Sequence, residues 1–516
     1  MVVERFGVTP RDPVRPDLAG VDVPEPRLEV PDALAALVTA DGEDRVRHSR
    51  GNAFRDVART LSGTLPRIVD AVVRPADADD VERLLDWCGD AGVVCIPFGG
   101  GTSVVGGVNP PADPRPVVSL DLERLDAVTD VDPVSLAARI EGGALGPTIE
   151  DQLRPHGLTL RHFPQSWEFS TLGGWLATRA GGHYATLATH IDDLTESIEA
   201  VTPSGRWTSN RLPGSGAGPS PDRMLLGSEG ALGVVTAAWM RVQRRPVFRS
   251  QATVAFGSFS RGLGAVRELA QSGLYPANCR LLDPHEAMLS GAAAGDASVL
   301  VLGFESADHP LEPAMARALE LTADHGGRCP DGPKHRTGDR PSARSASPLL
   351  DTGTSEGGSA AWRRTFLSAP YLRDGLVRLG MVVETFETAT TWDRVDELIA
   401  TLRETASATA TRLAGSAVVS TRITHAYPDG AAPYLTVIAP AGERDPVALW
   451  DEVKAAVSDE IVTAGATITH HHAVGRDHLP WYLRQRPDPF GAALAAAKRE
   501  LDPAGVLNPG VLVPTT

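Results

Sequence analysis

The stretch ITHHHAVGR, residues 468–476, sets three imidazoles in a row at His470, His471 and His472. Imidazoles can ligate a metal, pass protons near neutral pH, or form a polar turn without chemistry. On an extended backbone His470 and His472 share one face and His471 points the other way. At most two of them are then expected to meet one substrate. A second chemical feature is Pro97-Phe98-Gly99-Gly100-Gly101-Thr102-Ser103, which follows an apolar run. Three glycines remove the side chains that would keep a diphosphate from the backbone N–H groups, and Thr102 and Ser103 add hydroxyls. The run contains neither GK[ST] nor G-x-G-x-x-G, so it is not a P-loop or a dinucleotide fingerprint. Taken alone, it is equally a tight turn.

Two more glycine-rich runs follow in order. The first is Gln165-Ser166-Trp167-Glu168-Phe169-Ser170-Thr171-Leu172-Gly173-Gly174-Trp175, continued by Thr178-Arg179-Ala180-Gly181. The second is Gly227-Ser228-Glu229-Gly230-Ala231-Leu232-Gly233-Val234-Val235. Further along, Arg280 opens RLLD and Arg373 sits in APYLRD, each in an apolar setting, while Tyr427 ends TRITHAY. A lone arginine is more often a salt-bridge partner, and a lone tyrosine a core aromatic. These residues gain meaning only as a set.

The elements that must position them are legible from periodicity. DADDVERLLDWCGDAGV reads as a helix with acidic residues in its first turn, and VVCIPFGGG as a buried strand running into the glycine loop. QATVAFGSF and ASVLVLGFE read as strands, SRGLGAVRELAQSG and LEPAMARALELTADHGG as helices between and after them. WDRVDELIATLRETA and DPVALWDEVKAAVSDEIVTAG are further helices separated by the strand YLTVIAP. Strand and helix hairpins in this order predict a sheet covered by helices on one face. The polar, Gly/Ser/Pro-rich run 330–360 predicts a mobile surface loop, and LAALVT (34–39) a short helical patch.

Composition narrows the class. A chain of 516 residues is expected to hold more than one domain. A net charge of −16 argues against a nucleic-acid surface. Lysine occurs only at Lys334, Lys454 and Lys498, so an anion site would use arginine, whose planar fork suits carboxylate and phosphate. Cys88, Cys95, Cys279 and Cys329 form no CxxC pair or zinc spacing and are expected to be reduced structural thiols. The first residues lack a signal-peptide core, no apolar run reaches membrane-spanning length, and the last residues are not SKL. A cytoplasmic location is the expectation.

The order PxGGGTS, EFSTLGGW, GSEGALGVV resembles the FAD-binding domain of the vanillyl-alcohol oxidase/p-cresol methylhydroxylase (PCMH) superfamily. The resemblance implies that the first loop holds the FAD pyrophosphate while the other two line the isoalloxazine and ribityl chain. Covalent attachment in that superfamily uses a histidine, sometimes with a cysteine, and no residue here is assigned to it, so FAD is expected to bind non-covalently. ETFETATTWDRV and THHHAVG, together with RLLD, APYLRD and TRITHAY, make the chain similar to the alkylglycerone-phosphate synthase (alkyldihydroxyacetone-phosphate synthase) family from about residue 45 to 512. That resemblance implies an α+β fold: a two-subdomain PCMH-type FAD-binding domain and an α+β cap, or substrate, domain whose antiparallel sheet is covered by helices. It divides the chain into an N-terminal segment (1–60), the FAD-binding domain (61–245), the cap (246–465) and a C-terminal segment returning to the flavin site (466–516).

The family likeness also implies a function. Tyr427, His470, His471, His472 and Arg280 correspond to catalytic positions, and Arg373 to the arginine that binds the substrate phosphate. The implied reaction exchanges the acyl group of acyl-dihydroxyacetone phosphate for a fatty alcohol through a flavin N5 adduct, a step of ether-lipid synthesis. The alternative is an FAD-linked oxidase or dehydrogenase of a 2-hydroxy acid or another hydroxy compound. The related D-2-hydroxyacid dehydrogenases bind metal through GDGNxH and AEHG stretches; here PDGAA and HHHA stand in their place, so no metal is expected. Expected partners are a small lipid substrate, a peripheral membrane contact and a second copy in a homodimer.

Overall fold

Short β-branched runs alternating with amphipathic helices produce two small sheets in the first half of the chain. The computed structural model describes residues 6–7, 21–292, 295–338 and 371–515. Strands Val38–Thr39, Ala71–Val73, Val117–Asp121 and Val94–Phe98 lie in that order in a four-stranded sheet, with the last three parallel. The helix Ala78–Ala91 starts where the Asp77 carboxylate accepts the Asp80 N–H and stops at Gly92 in the left-handed region. Its buried face, Val81, Leu84, Leu85 and Cys88, packs on Val73, Cys95, Val118 and Leu120. A five-stranded antiparallel sheet follows, ordered Val128–Asp132, Ala137–Glu141, Val234–Arg241, Thr195–Thr202, Gly205–Thr208.

The second half builds an eight-stranded sheet whose described pairings are antiparallel throughout. The apolar run of the strand Ser298–Ser306 has a simple cause: both of its faces are covered. Leu300 and Leu302 pack against Leu263, Val266 and Leu269 of the helix Phe259–Gln271. Val299 and Val301 belong to the cluster that includes Ile140, Trp175 and Leu176 of the first half. Each such fully buried side chain stabilises the fold by roughly 1.5–3 kcal/mol, so the interface between the halves is a core rather than a loose contact. Helices Val395–Ala414 and Pro446–Thr463 cover the other end of the sheet through Leu398, Leu402, Val453 and Val457.

Three expectations change. Residues 334–337 of the anticipated loop form an edge strand paired with Phe248–Gln251; residues 339–360 of that stretch lie outside the described residues. The patch at 34–39 is a single 3-10 turn, Ala35–Leu37, leading into a two-residue strand. The histidine row is not extended backbone: residues 470–472 bend, and Ala473 follows at φ 72°. Strand alternation therefore does not decide where the three rings point.

Candidate active site

The glycine loop faces one cavity of about 300 Å³. Gly99–Val104 form one wall, and Gln165, Ser166, Phe169, Ser170, Thr171, Gly174, Thr178, Ala180 and Gly181 form the next. The two runs touch so closely that a side chain is excluded at Gly100, where a Cβ would lie 2.5 Å from the Phe169 carbonyl carbon; Gly181 meets the histidine row instead, a Cβ there lying 3.1 Å from His471 Cβ. Among the described residues, none of the backbone N–H groups of Gly99–Ser103 has a protein acceptor. Successive donors left open on a cavity wall suit an anionic diphosphate.

The remaining predicted loop residues stand behind that wall. Pro97 and Phe98 end a strand, and Gly230 approaches Pro97, where a Cβ would sit 2.9 Å from Pro97 Cγ. Trp167 is buried in the core with its ring 5.6 Å from Phe163. Gly173 donates to the Gly142 carbonyl, Glu168 accepts from Tyr371 Oη, and Arg179 pairs with Asp192. Val234 and Val235 are strand residues, while Ala231, Leu232 and Gly233 pack or turn beneath them. Glu229 has a different task. Its carboxylate accepts Val474 N at 2.9 Å and Gly475 N at 2.7 Å. Burial pushes this carboxyl up to about 7, against the lowering effect of those two N–H groups.

A second buried carboxylate grips the histidine row from the other side. Glu387, at the end of the strand Met381–Glu387, accepts Thr469 Oγ1 at 2.6 Å and the backbone N–H groups of His470, His471 and His472 at 2.7–2.9 Å. Burial alone would raise this carboxyl. Its electrostatic interaction with the adjoining His471 and His472 rings, His471 Nδ1 standing 3.2 Å from Oε2, more than offsets that and holds it well below the usual carboxylate range. The row is thus strung between Glu387 on the eight-stranded sheet and Glu229 beneath the glycine runs.

The rings form a network. Tyr427 Oη lies 2.7 Å from His470 Nε2 and 3.2 Å from Thr189 Oγ1; His190 Nε2 lies 3.2 Å from the same His470 nitrogen. His470 Nδ1 and His471 Nδ1 are 3.0 Å apart. His425 stands 4.9 Å from His470 between ring centroids and donates from Nε2 to the Gly182 carbonyl. Burial lowers His190, His425 and His470, and brings His472 down to about 3, so these rings are neutral at pH 7. Burial likewise pushes the Tyr427 phenol upward. Nitrogens of His425, His470 and His471 lie within 4.8 Å of one another. His425 and His470 use both ring nitrogens on protein partners, which favours a proton network over a cation cage.

Of the three histidines, His471 and His472 line the cavity, and His470 joins them from behind to Tyr427. Arg373 is on the wall beside Leu372 and bonds Asp374. Arg280 is fully buried and donates to His183 Nδ1 and to its carbonyl; burial, with Arg422 nearby, lowers it to about 9. Several wall residues were not foreseen. Arg422 pairs with Glu286 and lies over the Tyr434 ring at 3.7 Å, and all three line the cavity. Behind the wall, His162 is buried against Trp175, and among the described residues neither of its ring nitrogens has a hydrogen-bond partner. Glu387 sat in the quoted stretch ETFET, so a signal for it existed; His190 and His162 carried none.

Residues 69–209 match the model of an FAD binding domain, and residues 245–512 that of the C-terminal domain of FAD linked oxidases. Alkyldihydroxyacetonephosphate synthase of Dictyostelium discoideum is 32% identical over 91% of this chain and 77% of its own length. The chain belongs to the alkyldihydroxyacetonephosphate synthase family. The synthase of Caenorhabditis elegans is 30% identical over 92% of this chain and 81% of its own. A solved structure of alkyldihydroxyacetonephosphate synthase superposes with a TM-score of 0.79 at 25% identity, covering 97% of this chain and 88% of that one. p-Cresol methylhydroxylase with substrate bound shares the fold, with a TM-score of 0.71 at 15% identity over 93% and 94% of the two chains. As a member of the synthase family the chain uses FAD, and the open N–H donors at Gly99–Ser103 fit its diphosphate. No helix among the described residues is long and apolar enough to cross a membrane.

Proposed function

We propose that this protein exchanges the acyl group of acyl-dihydroxyacetone phosphate for a fatty alcohol, forming the ether bond of an ether lipid. One observation carries the reading. A single cavity joins the glycine loop to His471 and His472 and continues to an apolar wall of Leu289, Leu372, Leu376, Val383 and Ile438. That wall suits an alkyl chain, and the Arg373 guanidinium at its edge suits a phosphate dianion. Imidazoles facing the same space suit proton removal from the carbon that carries the acyl group.

In this mechanism Arg373 binds and orients the phosphate, and the apolar wall excludes water from the reacting carbon. A ring at the cavity wall takes the proton from that carbon as the carboxylate departs, then returns a proton after the alcohol oxygen bonds there. The alcohol's own proton leaves with the fatty acid. FAD, when bound, supplies a ring that exchanges an electron pair with the substrate carbon, with no net oxidation. A lipid substrate also brings a peripheral membrane contact into the reading; Phe169, Tyr371 and Leu372 are exposed apolar residues at or beside the cavity.

The test is an anaerobic turnover without an electron acceptor. Fatty acid release and fatty alcohol incorporation are expected in equal amounts. Arg373→Ala is expected to raise the KM for the phosphate-bearing substrate by roughly 10- to 100-fold, the worth of a charged hydrogen bond, with FAD retained. If a 2-hydroxy acid instead reduces the flavin and passes electrons to a dye while no ether forms, the oxidoreductase reading replaces this one.

A further inference from the structure

The carboxylate that grips the backbone of the histidine row also faces its rings. An ionised carboxylate accepts hydrogen bonds and donates none. His471 Nδ1 lies 3.2 Å from Glu387 Oε2. A bare nitrogen there would set lone pair against lone pair inside a buried site, where such repulsion is poorly screened. The His471 proton therefore sits on Nδ1, which leaves Nε2 bare in the neutral ring. His470 Nδ1, 3.0 Å from His471 Nδ1, must then accept, and its own proton moves to Nε2. That proton faces Tyr427 Oη at 2.7 Å and His190 Nε2 at 3.2 Å, and the Tyr427 hydroxyl can donate onward to Thr189 Oγ1. The third ring escapes this control, because His472 Nδ1 is 3.7 Å from Glu387 Oε1, beyond hydrogen-bond reach.

We propose that Glu387 is a positioning residue that sets the tautomers of the row, so that His471 presents a bare Nε2 to the cavity and is the base of the reaction. The proton taken from the substrate carbon rests on His471 Nε2. The imidazolium so formed keeps its Nδ1–H on Glu387, as the buried carboxylate of a catalytic triad holds its histidine. His470, Tyr427 and Thr189 form a chain that leads away from the cavity rather than a second base. The catalytic half of this inference rests on the ether-synthase reading; the tautomer half stands apart from it.

The experiment uses substrate-free holoenzyme with ¹⁵N-labelled histidine, the His471 signals being assigned by their loss in His471→Gln. Nitrogen shifts in the wild type are expected to show a protonated Nδ1 and a bare Nε2 at His471, and the reverse at His470. A protonated Nε2 at His471 in the wild type overturns the proposal, whatever the variants do. In Glu387→Gln the His471 pattern is expected to change, and kcat to fall on the order of 10²- to 10⁴-fold with KM little altered. Glu387→Asp, which keeps the charge, is expected to restore part of that loss. Unchanged tautomers and unchanged kcat in Glu387→Gln refute the role. A bare Nε2 in an enzyme that makes no ether sinks the functional reading and leaves the positioning role supported.

Discussion

Gly100→Ala offers a stringent test of whether the first two glycine runs make the FAD cradle. A Cβ at Gly100 would stand 2.5 Å from the Phe169 carbonyl carbon and 3.2 Å from Ser170 Cα, where ordinary contact begins at 3.4 Å. Both neighbours are backbone, so no rotamer change relieves the clash. An added Cβ would overlap the Phe169 carbonyl oxygen, so the glycine loop and the run 165–171 must part by about 2 Å, more than enough to stretch a 2.9 Å hydrogen bond beyond its working range. If two of the open N–H donors at Gly99–Ser103 lose the diphosphate, the cost is about 1.5–3 kcal/mol each, because the acceptor is charged. FAD should then bind roughly 10²- to 10⁴-fold more weakly. The assay titrates apoprotein into FAD and follows quenching of flavin fluorescence. Gly89→Ala is the matched control: it lies in the helix Ala78–Ala91 with nothing within 4 Å of an added Cβ. That change should stabilise the protein by roughly 0.5–1 kcal/mol and leave FAD affinity alone. If Gly100→Ala binds FAD within about tenfold of wild type (1.4 kcal/mol), the close approach of the loops is not what shapes the site.

Two further predictions concern buried charge. Lys454 Nζ bonds Glu384 Oε1 at 2.8 Å beneath Trp450, so Lys454→Met should cost about 3–5 kcal/mol in urea unfolding by stranding the carboxylate, and adding Glu384→Leu should recover most of it; a cost under about 1 kcal/mol for the single change would contradict a buried pair. Glu229, raised from 4.5 to about 7 in the folded state, prefers its protonated form there. Its ionisation penalty is absent below pH 4.5, grows as pH rises to about 7 and is constant above that, amounting to about 3 kcal/mol. The stability of wild type relative to Glu229→Gln should fall by that order between pH 4.5 and 8, and a difference independent of pH would exclude the shift.

Much of the architecture was written in local pattern. The helix at 78–91 announced itself through its acidic first turn and Gly92, and the strand 298–306 through an apolar run buried on both faces. The glycine runs were legible because close backbone approach admits no other residue, and their order pointed to FAD. The histidine row stands out in the sequence, but its geometry does not. Alternation assumes an extended chain, and Glu387 instead bends the segment by drawing three successive N–H groups onto one carboxylate. Residues 83 to 85 positions apart in sequence make those contacts, so no local window contains their cause. The same holds for Arg422 over Tyr434, for His190 at 3.2 Å from His470, and for Arg280, which RLLD suggested as a site residue and which the fold buries against His183. By itself the sequence determined the element types, the loops able to bear a diphosphate and the kinds of group available for proton transfer, since these depend on side-chain chemistry and short-range sterics. Only the tertiary structure decided which imidazoles meet the cavity, because that depends on a carboxylate delivered from a distant strand.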